Sequence, residues 1–387
     1  MNEATIAAPA AAPAAPAGPA GPVRPGRPLT VTMVTRRDPA EIGGVERVVV
    51  GLVRELARTR PDWRVDTVSA FRAGSRIEGM DGLADVLAGF WLVWKLRTCN
   101  ADVIFVHCPE CLWGIRWLRR RRGGAPVVAV WHGAGPVPHL RLRRPGNPLA
   151  RALAWLRTTG ERRAVTADGH IAVHAHVEAC VRARYGLTAP VTIVDNGLDI
   201  TIQERMAKPG RVQVRTGEAG LKALWVGQTA YRKGLPVSMA AVAQARADLP
   251  GLRLQVVGVP PGKPTEGVDW LGIVPPDNMA EVYSAADLFI FPTRYESFGL
   301  VVIEAMAAGL PVIVSDVIGE GIVTDGRNGI VVPGYDPPDY AAALRRLAPV
   351  SVRAVIAAAN IEDVRRFNVE TTGAGYVSVV ESFAATQ

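Results

Sequence analysis

Residues 287–315, DLFIFPTRYESFGLVVIEAMAAGLPVIVS, decide the fold. Asp287–Phe291 and Pro311–Ser315 are short, continuous apolar runs, the pattern of strands buried on both faces. Phe298–Ala308 between them reads as a helix. Strand, helix and strand in this order make a crossover unit whose two strands run parallel. The pattern repeats outward. Leu221–Val226 and Arg253–Val257 read as further strands, with helices over Pro236–Asp248, Met279–Ala285 and Asp339–Leu347. Towards the N-terminus a separate series gives strands at Leu29–Val34, Val65–Ser69, Asp102–His107, Pro126–Trp131, His170–Val173 and Val191–Val194. Helices such as Val45–Arg58 and Pro148–Arg163 alternate with them. In the first of these, Val45, Val48, Val49, Leu52, Val53 and Leu56 share one helical face.

Two such series imply two doubly wound α/β domains, expected over residues 29–205 and 206–368. The join lies near Ile200–Gly220, which is polar and holds Pro209, Gly210, Gly217 and Gly220. A last helix-like stretch, Val369–Phe383, leads to an expected C-terminal helix over about residues 369–387 that packs back on the first domain. Residues 1–28 carry 10 Ala, 7 Pro and 3 Gly and read as a disordered tail, since proline at that density forbids a helix.

Composition narrows the classes. The 387 residues suit two domains, and 49% hydrophobic content supports real cores. No apolar run is long enough to span a bilayer, and four cysteines exclude a disulfide scaffold. Residues 1–200 hold 27 Lys+Arg against 17 Asp+Glu, a net +10; residues 201–387 hold 17 against 19, a net −2. The basic half points to anionic partners. A cytoplasmic protein is expected, with peripheral contact at the inner face of the membrane as an option.

Ligands of such sheets bind beyond the carboxyl ends of the strands, here in a cleft between two facing domains. Glu296 falls in the loop after Asp287–Phe291, and Glu304 in the third turn of the next helix, flanked by Val301, Ile303 and Met306. Capping by Glu296 or Ser297 and a surface place for Glu304 are the plain alternative. Gly227, Gln228, Arg232 and Lys233 follow a strand and precede a helix; such a basic turn suits a diphosphate leaving group, and otherwise solvent. Gly43 and Gly44 allow close approach to an anion or simply a tight turn. His132 ends a strand at the cleft; His107, His139, His170, His174 and His176 are given no role. Cys108-Pro109-Glu110-Cys111 lacks a second ligand pair, and no Asp-x-Asp occurs, so neither a metal nor a resident cofactor is expected. Trp91, Trp94, Lys95, Trp113 and the run from Arg116 to Arg122 would suit anionic lipid or a phosphorylated acceptor, and are otherwise a solvated helix end. No nucleic-acid-reading module appears.

The run Glu296-Ser297-Phe298-Gly299-Leu300, with Glu304-Ala305-Met306-Ala307-Ala308-Gly309-Leu310-Pro311, resembles the signature of the family-four retaining glycosyltransferases of the GT-B fold. The resemblance is strong in the second half and extends over most of residues 29–387. It implies two facing Rossmann-like domains, an acceptor side in the first and a nucleotide-sugar donor side in the second. By it, Glu304 binds the ribose and Glu296 the donor sugar, with the amides of Ser297, Phe298, Gly299 and Leu300. Arg232 and Lys233 hold the diphosphate, Gly43 and Gly44 close over it, and His132 sits beside the reacting sugar. Asp195-Asn196-Gly197-Leu198-Asp199 also fits, as a turn near the join. Two places depart: Gln228 stands where the family usually has Arg, and Glu320-Gly321 replaces a Pro-acid pair. The implied reaction moves a sugar, from UDP by default, to an acceptor hydroxyl with retention and without a metal. Lipid-linked glycans and aminocyclitol antibiotics are the expected acceptor types. A sugar-nucleotide epimerase and a non-catalytic sugar-nucleotide-binding module are the alternatives.

Overall fold

The computed structural model describes residues 28–39, 43–71, 83–97, 99–112, 114, 125–133, 155, 158–198 and 220–384. Residues 1–27, Glu41, Ile42, most of Pro148–Arg157, Trp113, the run Arg116–Arg122 and the join over 199–219 lie outside them. The described residues build two six-stranded sheets, all of whose pairings are parallel.

The first sheet comprises β1 (Leu29–Thr35), β2 (Trp63–Ser69), β3 (Val103–Val106), β4 (Val127–Trp131), β5 (Gly169–Ala172) and β6 (Thr192–Ile193), in the order β2-β1-β3-β4-β5-β6. Helices α1 (Gly44–Thr59), α2 (Leu83–Leu96) and α3 (Ala175–Tyr185) accompany it. Both faces of β3 and β4 are covered, so every residue in them is buried. This is why they read as unbroken apolar runs.

The second sheet comprises β7 (Lys222–Val226), β8 (Arg253–Val257), β9 (Val268–Gly272), β10 (Leu288–Phe291), β11 (Val312–Ser315) and β12 (Gly329–Val332), in the order β12-β11-β10-β7-β8-β9. Its helices are α4 (Leu235–Ala245), α5 (Met279–Ser284), α6 (Leu300–Ala307), α7 (Asp316–Ile322), α8 (Pro337–Arg346) and α9 (Val350–Asp363). The edge strands β9 and β12 escape the sequence reading. Strand β9 mixes buried and exposed residues around Asp269, and β12 opens on a glycine turn. Helix α7 covers part of the stretch read as turns.

The order reverses between β1 and β3 in one sheet, and between β7 and β10 in the other. At such a switch the loops leaving adjacent strands part and open a crevice. The two crevices face each other. Gly133, just after β4, would bring a Cβ within 2.6 Å of the Tyr295 hydroxyl and 3.2 Å of Ser297 Oγ, both in the loop after β10.

The chain then crosses back. Leu198 N donates to Phe367 O at 2.9 Å, and Val369 N to Leu198 O at 3.1 Å. A Cβ on Gly197 would clash with the Asn368 backbone, so the segment Asp195–Leu198 needs glycine there. Helix α10 (Val369–Ala384) lies against α1, and its Tyr376 ring meets Phe105 of β3 at 4.9 Å. The last helix thus completes the core of the first sheet.

Candidate functional site

The loops leaving β7 and β10 bring together the basic turn and the acidic loop, which lie about sixty residues apart in the chain. Lys233 Nζ donates to Glu296 Oε2, and the two side chains are 13% and 14% exposed. Glu296 Oε1 accepts from the Ser297 amide at 3.2 Å. Burial lowers the Lys233 pKa; Glu296 opposes that and Arg232 adds to it. The ammonium also stands 5.2 Å from the Phe291 ring centre. Arg232 is half-buried, and its Nε has no hydrogen-bond partner.

Local structure explains the geometry. Trp225 Nε1 donates to Lys233 O at 2.9 Å and Arg294 N to Arg232 O at 2.8 Å, tying the basic turn to β7 and to the β10 loop. A Cβ on Gly227 would press on the Trp225 ring and on Lys233 Cβ. Glycine is therefore needed there for packing. Gly234, left-handed at φ +74°, starts α4 with its Cα against Pro292 O. Gln228 is exposed beside this turn.

Gly299 is left-handed at φ +94° and caps α6, which begins at Leu300. Glu304 is therefore in the second turn of the helix, one turn earlier than the sequence reading places it. It is 3% exposed, which removes the surface alternative. Its oxygens have separate partners: Arg47 Nη1 at 2.7 Å on Oε1 and the Tyr283 hydroxyl at 2.8 Å on Oε2. Arg47 comes from α1, across the cleft. Its side chain is 31% exposed, and Glu304 raises its pKa. Tyr283 is fully buried; burial first, then Glu304, raises its pKa, so it stays a donor. Phe298 turns inward, edge-on to Phe367 and His174.

On the first-domain side, Gly43 precedes α1 in extended backbone, with the Glu46 carboxylate folded against its Cα. A Cβ on Gly44 would touch Leu300 of the second domain at 3.7 Å. His132, at the end of β4, is half-buried, and its Nε2 lies 3.0 Å from His107 Nδ1.

Beside Arg47 and Tyr283, two further residues at this site carried no signal in the sequence. His107 is one of several lone histidines in the sequence, and only the pairing of β3 with β4 brings it beside His132. Arg294 stands between the Tyr231 and Tyr335 rings, its guanidinium carbon 5.0 Å and 4.7 Å from their centres, with Nε unpartnered. It adds a third cation to Arg232 and Lys233. The tyrosines that hold it lie far away in the chain.

Burial lowers the pKa of His132 and of His170 from 6.5 to about 4. Between those values the unfolded chain binds more protons than the folded one, so stability is full above 6.5 and is lost as pH falls towards 4. For His170, 3% exposed, the loss at pH 5 is about 2 kcal/mol. Melting scans should show the midpoint dropping between pH 7 and pH 5; a flat midpoint there would contradict the burial of these rings.

Comparison with known proteins adds to the geometry. Residues 220–349 match the family described as glycosyl transferases group 1, and residues 42–202 match glycosyltransferase family 4. The D-inositol 3-phosphate glycosyltransferase of Geodermatophilus obscurus is 33% identical over 311 residues, covering 72% of this chain and 67% of that protein. D-inositol 3-phosphate glycosyltransferase 2 of Catenulispora acidiphila is 31% identical, covering 71% and 69%. The chain spans about two thirds of the length of these relatives. Among solved structures, sucrose-phosphate synthase from Thermosynechococcus elongatus superposes with a TM-score of 0.74 at 21% identity, covering 93% of this chain and all of that one. Anabaena HepE, in complex with UDP and glucose, does so with 0.64 at 17% identity, covering 92% and all of that chain.

Proposed function

The chain belongs to the group 1, family 4 glycosyltransferases, and from that premise we propose that it moves a sugar from a nucleotide-diphosphate sugar to an acceptor hydroxyl with retention at the anomeric carbon. The observation that carries this reading is the meeting of Lys233, Arg232 and Glu296 at the switch point of the second sheet, with Glu304 buried in the next helix. Each group suits one part of the donor. Glu304, fixed by Tyr283, accepts from the vicinal ribose hydroxyls. The amides of Leu300 and Val301, which open α6 ahead of its first internal bond at Val302, receive phosphate oxygens. Lys233 and Arg232 offset the charge that grows on the diphosphate as the glycosidic bond breaks. Glu296 then exchanges Lys233 for the sugar hydroxyls. Retention without a protein nucleophile implies attack from the leaving group's own face, with the departing phosphate taking the acceptor proton. Gly43, Gly44 and His132 close the site from the first domain.

UDP is the donor nucleotide we assign. The acceptor is a phosphorylated polyol, in keeping with the names of the relatives and the net +10 of residues 1–200. The test is thermal melting against UDP, GDP, dTDP, ADP and their sugars, with and without EDTA. A rise with one nucleotide, unchanged by EDTA, supports the metal-free donor site by mass action. No rise with any of them would sink the reading.

One observation favours a membrane-bound acceptor instead. Phe90, Trp91 and Trp94 of α2 are 72%, 48% and 51% exposed, on one face. Arg97 lies over the Trp94 ring at 5.0 Å. Such a face suits the interface of an anionic bilayer. Sedimentation with phosphatidylglycerol vesicles, lost in the Trp91→Ser/Trp94→Ser double variant, would support it. No sedimentation would leave the soluble acceptor.

A further inference from the structure

His107 has no role in the proposed reaction, yet it holds His132. The two rings lie 5.3 Å apart, inclined by 30°, and one hydrogen bond joins His107 Nδ1 to His132 Nε2 at 3.0 Å. On its other side His107 stacks on Tyr376 of α10, nearly parallel at 7° and 6.0 Å between centres. His107 is 3% exposed and Tyr376 1%. Imidazole, imidazole and phenol thus form a stack running from the cleft into the core of the first domain.

Both rings are neutral. Burial lowers both pKa values, and His132 lowers that of His107 further. Each ring therefore carries one proton, and only one proton can sit in the bond between them. If His132 Nε2 donated, the His107 proton would be on Nε2. That atom is buried and has no partner. An orphaned buried N–H is rarer in folded proteins than an under-satisfied acceptor. If His107 Nδ1 donates, its Nε2 is only an unused lone pair, and the His132 proton is on Nδ1. His132 is half-buried, and a Cβ on the next residue, Gly133, would come within 3.2 Å of Tyr295 and Ser297 across the cleft.

We infer that His107 is a positioning residue that fixes His132 as the Nδ1–H tautomer, so that the first domain presents a neutral donor to an oxygen of the bound sugar. The inference rests on the proposed transfer reaction for its purpose, though not for the tautomer. A neutral donor suits that place, because it binds a sugar oxygen without competing with Lys233 and Arg232 for the diphosphate.

The test combines kinetics with nitrogen-15 NMR of the histidine side chains, His132 being assigned by its absence in His132→Ala. His107→Phe keeps a ring in the stack and removes the hydrogen bond. His107→Asn places an amide donor near the position of Nδ1. In the wild type His132 should be protonated on Nδ1, and in His107→Phe that preference should be lost. His107→Phe should lower kcat about 10–100-fold with little change in KM for the donor, and His107→Asn should recover most of it. A His132 proton found on Nε2 in the wild type, or an unchanged kcat in His107→Phe, would overturn the inference. The tautomer is read on free protein. A correct tautomer with no transfer from any nucleotide sugar would therefore count against the reaction and not against the pairing.

Discussion

Lys233→Ala is expected to lower kcat about 10²–10³-fold, the usual effect of removing one group that stabilises charge developing in a transition state. The argument begins with burial. An ammonium that is 13% exposed and next to the Phe291 ring persists only with a counter-charge, and in the free protein Glu296 supplies it. A diphosphate arriving at the same crevice is a stronger counter-charge, and it grows more negative as the sugar leaves. Lys233 therefore interacts more strongly with the transition state than with the bound donor, which is the condition for an effect on kcat. KM for the donor should change less. The alanine variant leaves Glu296 half-enclosed and unpaired, so a fall in melting temperature is expected too. The Lys233→Ala/Glu296→Gln pair separates the effects: stability should return while kcat stays low. A wild-type kcat in either variant would remove Lys233 from the reaction.

Both members of the Lys233–Glu296 pair stand out in the sequence as candidates, and the reason is local. Arg232-Lys233 precedes a helix after a strand, and Glu296 follows a strand within the Asp287–Ser315 unit whose apolar runs betray parallel pairing. Buried parallel strands carry no competing alternation, so the second sheet's centre was read within a residue or two. Its edges were not. Strand β9 is interrupted by Asp269, which pairs with Arg253 of β8 and so has a place only once the sheet exists. The partners of the site were illegible for the same reason. Arg47 and Glu304 are 257 residues apart, and Tyr376 reaches His107 only because the chain recrosses at Leu198–Asn368. A spacing can place a residue on an element; it cannot say what another domain puts opposite. Gly227 shows the converse: glycine is legible there, and its cause, the Trp225 ring, is not.

Glu304→Ala should weaken nucleotide binding about 100-fold, and Arg47→Ala should strengthen it about fivefold; the opposite signs make the pair of variants decisive. In the free protein both Glu304 oxygens are taken, one by Arg47 and one by Tyr283. A ribose offers two hydroxyls, and the guanidinium, which reaches in from the cleft side, competes with them for the carboxylate. Tyr283 is fully buried and stays; Arg47 is 31% exposed and reaches across the cleft from a separate domain. Hydrogen bonds to a charged acceptor contribute about 1.5–3 kcal/mol each. Two of them, less the Arg47 pair given up, come to about 3 kcal/mol, or a factor of about 100. The Arg47 pair joins a part-exposed guanidinium to the buried carboxylate and is taken at about 1 kcal/mol, a factor of about five. Isothermal titration of the preferred nucleotide into each variant reads both numbers. Tighter binding in Arg47→Ala means that the guanidinium holds the ribose position until the donor arrives and that donor binding frees it. Weaker binding would mean that Arg47 contacts the nucleotide and that Glu304 keeps it in place. Unchanged affinity in Glu304→Ala would put the ribose elsewhere, and the buried carboxylate would then be no more than the seam between two domains.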